Sequence, residues 1–321
     1  MHLGVLVVAL VLSSGAASVA GAQPTTSPRV GVLVPQPSGW EERAFRETLS
    51  GLVYSDGVNI ILDVRSAEGQ LARLPSLASE LVRSGPHVIV AVNTPGTQAV
   101  IAATKTIPIV MVAVGDPVAT GFVTNLARPE GNVTGVSSLC GELAAKRLSL
   151  LKEAVPTARR IAVMLNPNDP ITTPQMKDAE RAAPLIGIEV RFFSARTAVE
   201  LDTVFELMLK WRPGAVMWLC GQQAALERRT MNLAQKYKLP VMPYQVQQVN
   251  AGGLIAYATN SADLSRRAAI YVDRILKGAK PANLPVEQPT RFDLVINLRV
   301  AKALGLTVPQ SLLLRANEVI Q

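Results

Sequence analysis

Hydrophobic positions in this chain fall into short unbroken runs, separated by stretches in which apolar residues recur every three to four positions. The runs at residues 29–34, 59–65, 87–92 and 108–114 read as strands buried on both faces. Between the first two, Ser38 and Glu41 have capping-box spacing and an amphipathic stretch continues to Val53. Between the next two, Leu71, Leu74, Leu77, Ala78, Leu81 and Val82 mark one helical face, which Gly85-Pro86 stops. Asn93-Thr94-Pro95-Gly96 then opens a short helix ahead of the fourth run. Strands alternating with helices at this spacing predict βαβ units and a parallel sheet.

The pattern then starts again. Residues 133–137 read as a strand, 141–155 as a helix and 160–165 as a strand, with further strands at 188–193, 215–219 and 241–242 and helices between them. The tail offers a strand at 294–298 and a helix from Ala301 to Leu304. The predicted fold class is α/β, with two doubly wound parallel-sheet lobes joined by a hinge. Lobe 1 spans 23–137 and lobe 2 spans 138–249, each completed by part of the segment from 250 to 321. Crossings are expected near 134–140 and near 246–256. No low-complexity stretch separates the halves, which points to hinge strands and not a loose tether.

The beginning of the chain lies outside this scheme. Residues 3–12 are apolar without a break, and Ala20-Gly21-Ala22 precedes Gln23. That is the signature of a signal peptide over 1–22, although its first residues carry no Lys or Arg. The run is too short for a membrane span, which needs roughly 20 residues. No Cys follows it to take a lipid, so the expected destination is the periplasm without an anchor.

A hydrophobic content of 49% and a charged content of 17% allow a sizeable core. The net charge of +8 is spread along the chain with no basic block longer than two, and aromatics make up 4% with none interleaved among basic residues. Nucleic acid is therefore not an expected partner. Cys140 and Cys220 sit in apolar surroundings, which favours buried free thiols, although an oxidising compartment permits a bridge. They form no C-x-x-C pair and have no neighbouring His, so no metal or cofactor is expected.

In parallel α/β sheets, ligands sit beyond the carboxyl ends of the strands. Here those ends carry Gln36, Asn93-Thr94-Pro95-Gly96-Thr97, Gly115-Asp116-Pro117, Asn166-Pro167-Asn168-Asp169, Gly221-Gln222-Gln223, Pro243-Tyr244-Gln245 and Tyr257-Ala258-Thr259-Asn260. Any one of these is an ordinary turn on composition alone; their recurrence at almost every strand end is what points to a ligand. The candidate ligand-binding residues are Gln36, Trp40, Asn93, Thr94, Thr97, Asp116, Asn166, Asn168, Tyr244 and Tyr257. Thr94 and Thr97 flank a helix start suited to a carboxylate. Asp116 could pair with an amine, and Asn166 and Asn168 could supply donors and acceptors from the other lobe. Trp40, Tyr244 and Tyr257 could cover an apolar or aromatic group, with a core position in step with Ala44 as the other reading of Trp40.

Catalysis finds little support. The only histidines are His2, in the signal region, and His87, at the start of a strand. No Ser-His-acid arrangement, G-x-G-x-x-G, Walker A loop or G-x-S-x-G is present. A two-domain enzyme and a ligand-sensing module remain the alternatives to a binding protein.

Several longer stretches carry a family resemblance: A-E-G-Q-L-A-R-L-P-S-L-A-S-E-L-V (67–82), V-G-D-P-V-A-T-G-F-V (114–123), L-A-R-P-E-G-N-V-T-G-V-S (126–137), A-K-R-L-S-L-L-K-E-A-V-P (145–156), L-N-P-N-D-P (165–170) and the tail from Leu284 to Leu313. Together they resemble the ABC transporter substrate-binding proteins of the tryptophan/tyrosine-transporter type. The resemblance implies a type I periplasmic binding fold, no catalytic activity, and an amino acid or related small solute as ligand. The expected partner is an ABC permease in the inner membrane, and the protein is expected to be a monomer. Asn93 stands where the family more often has glycine, and the segments 220–223 and 245–250 depart from its pattern.

Overall fold

The computed structural model describes residues 27–321 apart from 37–39, 168, 170, 222 and 223. The expected signal peptide therefore lies outside the described residues, as do Ser38 of the expected capping box and Asn168.

The first sheet is built from β1 (Arg29–Val34), α1 (Glu42–Gly51), β2 (Ile61–Ser66), α2 (Leu74–Arg83), β3 (Val88–Val92), α3 (Asn93–Ala103), β4 (Ile109–Val114) and β5 (Val133–Ser137). Its strand order is β2-β1-β3-β4-β5, with every pairing parallel. Strands β3 and β5 are buried along their whole length, as the continuous apolar run of β3 requires. One irregularity matters for the site. The β4–β5 register slips between Val112 and Val114, where Ala113 takes a left-handed φ of 59°. This bulge re-aims the end of β4.

The second sheet follows from α4 (Ala144–Ala154), β6 (Arg160–Leu165), α5 (Thr172–Ala182), β7 (Glu189–Ser194), α6 (Ala198–Trp211), β8 (Ala215–Trp218), α7 (Ala224–Lys236) and β9 (Val241–Met242). Its order is β7-β6-β8-β9, again all parallel. Beyond it lie α8 (Gln247–Asn250), β10 (Ile255–Thr259), α9 (Ser261–Leu276), β11 (Phe292–Asn297), α10 (Leu298–Ala303), α11 (Gln310–Leu313) and β12 (Glu318–Ile320).

The packing of these last elements divides them between the two bodies. Leu264, Ala268, Tyr271 and Val272 of α9 bury against Val30, Val90 and Val110 of the first sheet. Ile255 and Ile296 join the core of the second sheet beside Val163, Met217 and Met242. The Leu254 N–H donates to the Val241 carbonyl at 2.8 Å, which seats β10 along β9. Strand β10 pairs antiparallel with β11, the one departure from the parallel scheme among the described strands.

The chain therefore crosses between bodies after β5, between β10 and α9, and again before β11. The later crossings fall between Thr259 and Ser261 and again before Phe292, not near 246–256, because α8 and β10 still belong to the second body. Asn260 pins the middle crossing. Its side chain accepts the Asp263 N–H at 2.8 Å, capping α9, and donates to Asp293 Oδ2 at 2.7 Å. Among the described residues no helix is long and apolar enough to cross a membrane.

Candidate functional site

The carboxyl ends of both sheets face each other across one cavity with about 850 Å³ of unfilled space, its mouth included. Gln36, Asn93, Thr94 and Gly115 come from the first sheet, and Asp169, Ile171, Gly221 and Tyr244 from the second. The crossings supply Ser138, Thr259 and Ser261. Three non-glycine residues beside the cavity are held in left-handed backbone: Asn93 (φ 58°), Ala113 (59°) and Leu139 (51°). Backbone strain of this kind concentrates at binding sites, where surrounding structure holds it in place.

Four of the ten predicted residues line the cavity: Gln36, Asn93, Thr94 and Tyr244. Thr94 Oγ1 accepts the Gly115 N–H at 3.4 Å, joining the ends of β3 and β4. Gln36 Nε2 reaches across the cleft and donates to Tyr244 Oη at 3.4 Å. Tyr244 in turn donates to Glu227 Oε1 at 3.0 Å. Burial raises the Tyr244 hydroxyl well above its ordinary range, so it remains a protonated donor.

Five predicted residues lie off the cavity wall, each for a local reason. Trp40 packs into the first core, its ring 5.0 Å from that of Phe45, so the core reading applies. Thr97 turns back to donate to the Ala91 carbonyl at 3.2 Å. Asp116 Oδ1 accepts the N–H groups of Val118 and Ala119, closing its own turn. Asn166 Nδ2 donates to the Gly221 carbonyl at 2.8 Å, tying two loops together. The Tyr257 ring stacks on Phe292 at 5.6 Å, and strand alternation gives the cavity its neighbour Ala258 instead.

Two charged residues on the cavity wall were not predicted. Arg147 is 1% exposed. Its Nε donates to the Tyr257 carbonyl at 2.9 Å and its Nη2 to the Tyr244 carbonyl at 3.2 Å. Burial lowers its pKa to about 10, which leaves it cationic at neutral pH. Among the described residues no carboxylate lies within ion-pair distance of it. Asp169 is 7% exposed and accepts the Ile171 N–H at 3.0 Å. Burial holds its carboxyl up at about 6. Gly221 (φ 89°) makes room for it, since a Cβ there would stand 2.0 Å from Asp169 Oδ2.

A signal for Arg147 existed in the sequence. It stands three residues after Ala144 and four before Leu151, on the buried face of α4, where a charge is unexpected. Asp169 read only as a turn residue.

The cysteines differ from expectation. Cys140 and Cys220 form a disulfide, with Cα atoms 6.3 Å apart. The crossing after β5 folds back over the end of β8, bringing together residues 80 apart in sequence. Local apolar character carries no information about that approach.

Two facing parallel sheets, three crossings and a shared cavity define a two-lobed protein of the type I periplasmic binding class. The chain belongs to the ABC transporter substrate binding protein family, which it matches over residues 29–320. It is 29% identical over 276 residues to the tyrosine-binding protein of Clostridioides difficile strain R20291, covering 83% of this chain and 76% of that one. The crystal structure of an ABC domain in complex with L-Trp from Streptococcus pneumonia superposes with a TM-score of 0.84 at 28% identity, over 92% of this chain and 100% of that one. The ligand-free, open structure of CD0873 from Clostridium difficile gives 0.66 at 25% identity, over 92% of this chain and 99% of that one.

Proposed function

We propose that this chain is the extracytoplasmic solute-capture component of an ABC importer, taking an amino acid or closely related zwitterion into its interlobe cleft. One observation carries the reading. A single cavity walled by both lobes holds a buried cation, Arg147, and a buried carboxyl group, Asp169, which do not pair with each other. A buried charge without a counterion is costly. A solute bearing both a carboxylate and an amine would relieve both groups at once. Around them Leu71, Ile171 and Leu264 offer apolar surface for a side chain.

Closure is the mechanism this reading requires. The higher similarity to the L-Trp complex than to the open, ligand-free relative, at equal coverage of this chain, supports a closed arrangement. Solute bridging the lobes favours that form by its differential affinity. The tyrosine- and tryptophan-binding relatives place aromatic amino acids first among solutes to try. Micromolar affinity corresponds to about −8 kcal/mol, within reach of two charge-assisted contacts plus buried apolar area.

The test is a melting-temperature and calorimetry panel of amino acids, their carboxamides, the matching amines, and neutral sugars. Amino acids should stabilise, while molecules lacking either charge should do so weakly. Stabilisation by sugars alone, or by nothing in the panel, would sink the reading.

A further inference from the structure

The disulfide touches Arg147, the one buried cation that the described residues give the cleft wall. Arg147 Nη1 lies 3.0 Å from Cys220 Sγ and 3.7 Å from Cys140 Sγ, and Nη2 lies 3.6 Å from Cys140 Sγ. Both cysteines and Arg147 line the same cavity. In the bridged state the sulfurs carry no charge, and the remaining partners of the guanidinium are the neutral carbonyls of Tyr244 and Tyr257. The positive charge is thus left without a counterion among the described residues.

Opening the bridge changes that balance. A dithiol reductant supplies two electrons and two protons, breaks the Sγ–Sγ bond and closes its own disulfide, leaving two thiols in the protein. A thiol beside a guanidinium ionises more readily than one in water. Cys220 Sγ, the nearer of the two, then loses its proton to solvent and becomes the counterion of Arg147.

We infer that Cys140, Cys220 and Arg147 work as one unit that sets the charge of solute the cleft accepts, reading carboxylates when bridged and losing that preference when reduced. The inference rests on the amino-acid reading of the cleft. With the bridge closed, the solute carboxylate is the anion that Arg147 lacks. With the bridge open, the Cys220 thiolate fills that role and repels a second anion. An oxidising compartment keeps the bridge closed, so the binding-competent form is the one present where capture takes place.

Two measurements test this. The first needs no solute: thiolate absorbance near 240 nm is followed against pH in reduced protein. One thiol should ionise well below the usual value of about 8.5, and Arg147→Gln should return it to that value or above. A wild-type thiol titrating at or above the usual value overturns the inference.

The second measurement compares the affinities of L-tryptophan and L-tryptophanamide in oxidised and reduced protein. The oxidised form should prefer the acid by roughly tenfold or more, and reduction should abolish the preference. Cys140→Ser/Cys220→Ser lacks the bridge but cannot form a thiolate, and should keep the preference with or without reductant. Loss of the preference in that variant would assign the effect to loosened structure and overturn the inference. If oxidised protein prefers the acid and reduction changes nothing, this inference falls alone. If the oxidised protein binds no amino acid at all, the proposed function falls with it.

Discussion

Gly115 and Ile171 meet across the cleft so closely that a Cβ on Gly115 would stand 2.5 Å from Ile171 Cδ1. Gly115 directly follows β4 of the first sheet, and Ile171 precedes α5 of the second. The contact therefore exists only while the lobes are together, and its narrowness depends on the missing side chain. The Ile171 backbone has little freedom to retreat, since its N–H is held by Asp169 Oδ1 at 3.0 Å, so only the terminal methyl of its side chain can give way.

Substitution at Gly115 should consequently separate closure from folding. For Gly115→Ala, Ile171 can rotate its terminal methyl away, and solute affinity should fall only a few-fold. The branched Gly115→Val cannot be absorbed that way. It should hold the cleft ajar and weaken binding by about tenfold or more, since overpacking costs about 1–3 kcal/mol. Small-angle scattering with solute should then show a larger radius of gyration than wild type. A Gly115→Val protein that binds and compacts normally would show that this contact does not limit closure.

Trp40 offers the opposite case, a residue that looked like a ligand platform and is core. Its ring packs on Phe45 within the first lobe's apolar cluster. Trp40→Ala should destabilise the protein by about 3–5 kcal/mol, read from urea denaturation, while Trp40→Phe should cost much less. Solute selectivity should be the same in Trp40→Phe as in wild type. A changed ranking of solutes in that variant would return Trp40 to the binding surface.

These two residues show how much the sequence disclosed. Apolar runs gave β1 and β6 with their observed bounds, because strands buried on both faces leave little ambiguity. The strand-end rule picked out Gln36, Asn93, Thr94 and Tyr244, which line the cavity. Thr97 and Asp116 lie off that wall, because which way a turn side chain points depends on nearby backbone partners that the rule ignores. Strand β10 was given no range of its own, although Tyr257–Asn260 read as a strand end, because its short apolar run follows Gly252-Gly253 and pairs antiparallel with a distant segment. The disulfide follows from the crossing after β5 folding onto β8, a long-range event without a local signature, whereas Arg147 had a local one in its place on the buried face of α4.

Tyr244 joins the lobes through Gln36 and holds Glu227 at its other side. Glu227 is pushed above the ordinary carboxylate range by burial, and its bonds with Gln248 and Tyr244 pull it partly back. Tyr244→Phe removes both hydroxyl contacts. It should cost about 1–3 kcal/mol in stability, the penalty for buried polar groups that lose a partner, and should raise the Glu227 pKa further. Carboxyl resonances followed by NMR against pH would show the shift. An unmoved Glu227 would mean that solvent replaces the hydroxyl.

Asp169 should give solute binding a defined pH dependence. Its carboxyl sits at about 6 in the folded protein, against an ordinary value of 3.8, because burial disfavours the charged form. A folded-state pKa above the unfolded one contributes stability that is complete below the ordinary value and lost as pH rises through about 6. The melting temperature of unliganded protein should therefore fall across pH 4 to 6 by an amount that Asp169→Asn removes. An amine placed against the carboxylate pulls the pKa down in the complex, so affinity for amine-bearing solutes runs the other way: full above about pH 6 and weakening as pH falls below it. Comparing Asp169→Asn with wild type separates this group from Glu227, which is also raised but lies off the cavity wall. Calorimetric titrations of an amino acid at pH 7.5, 6 and 5 would decide the matter. Equal affinities at all three values would mean that the solute amine is read elsewhere in the cleft.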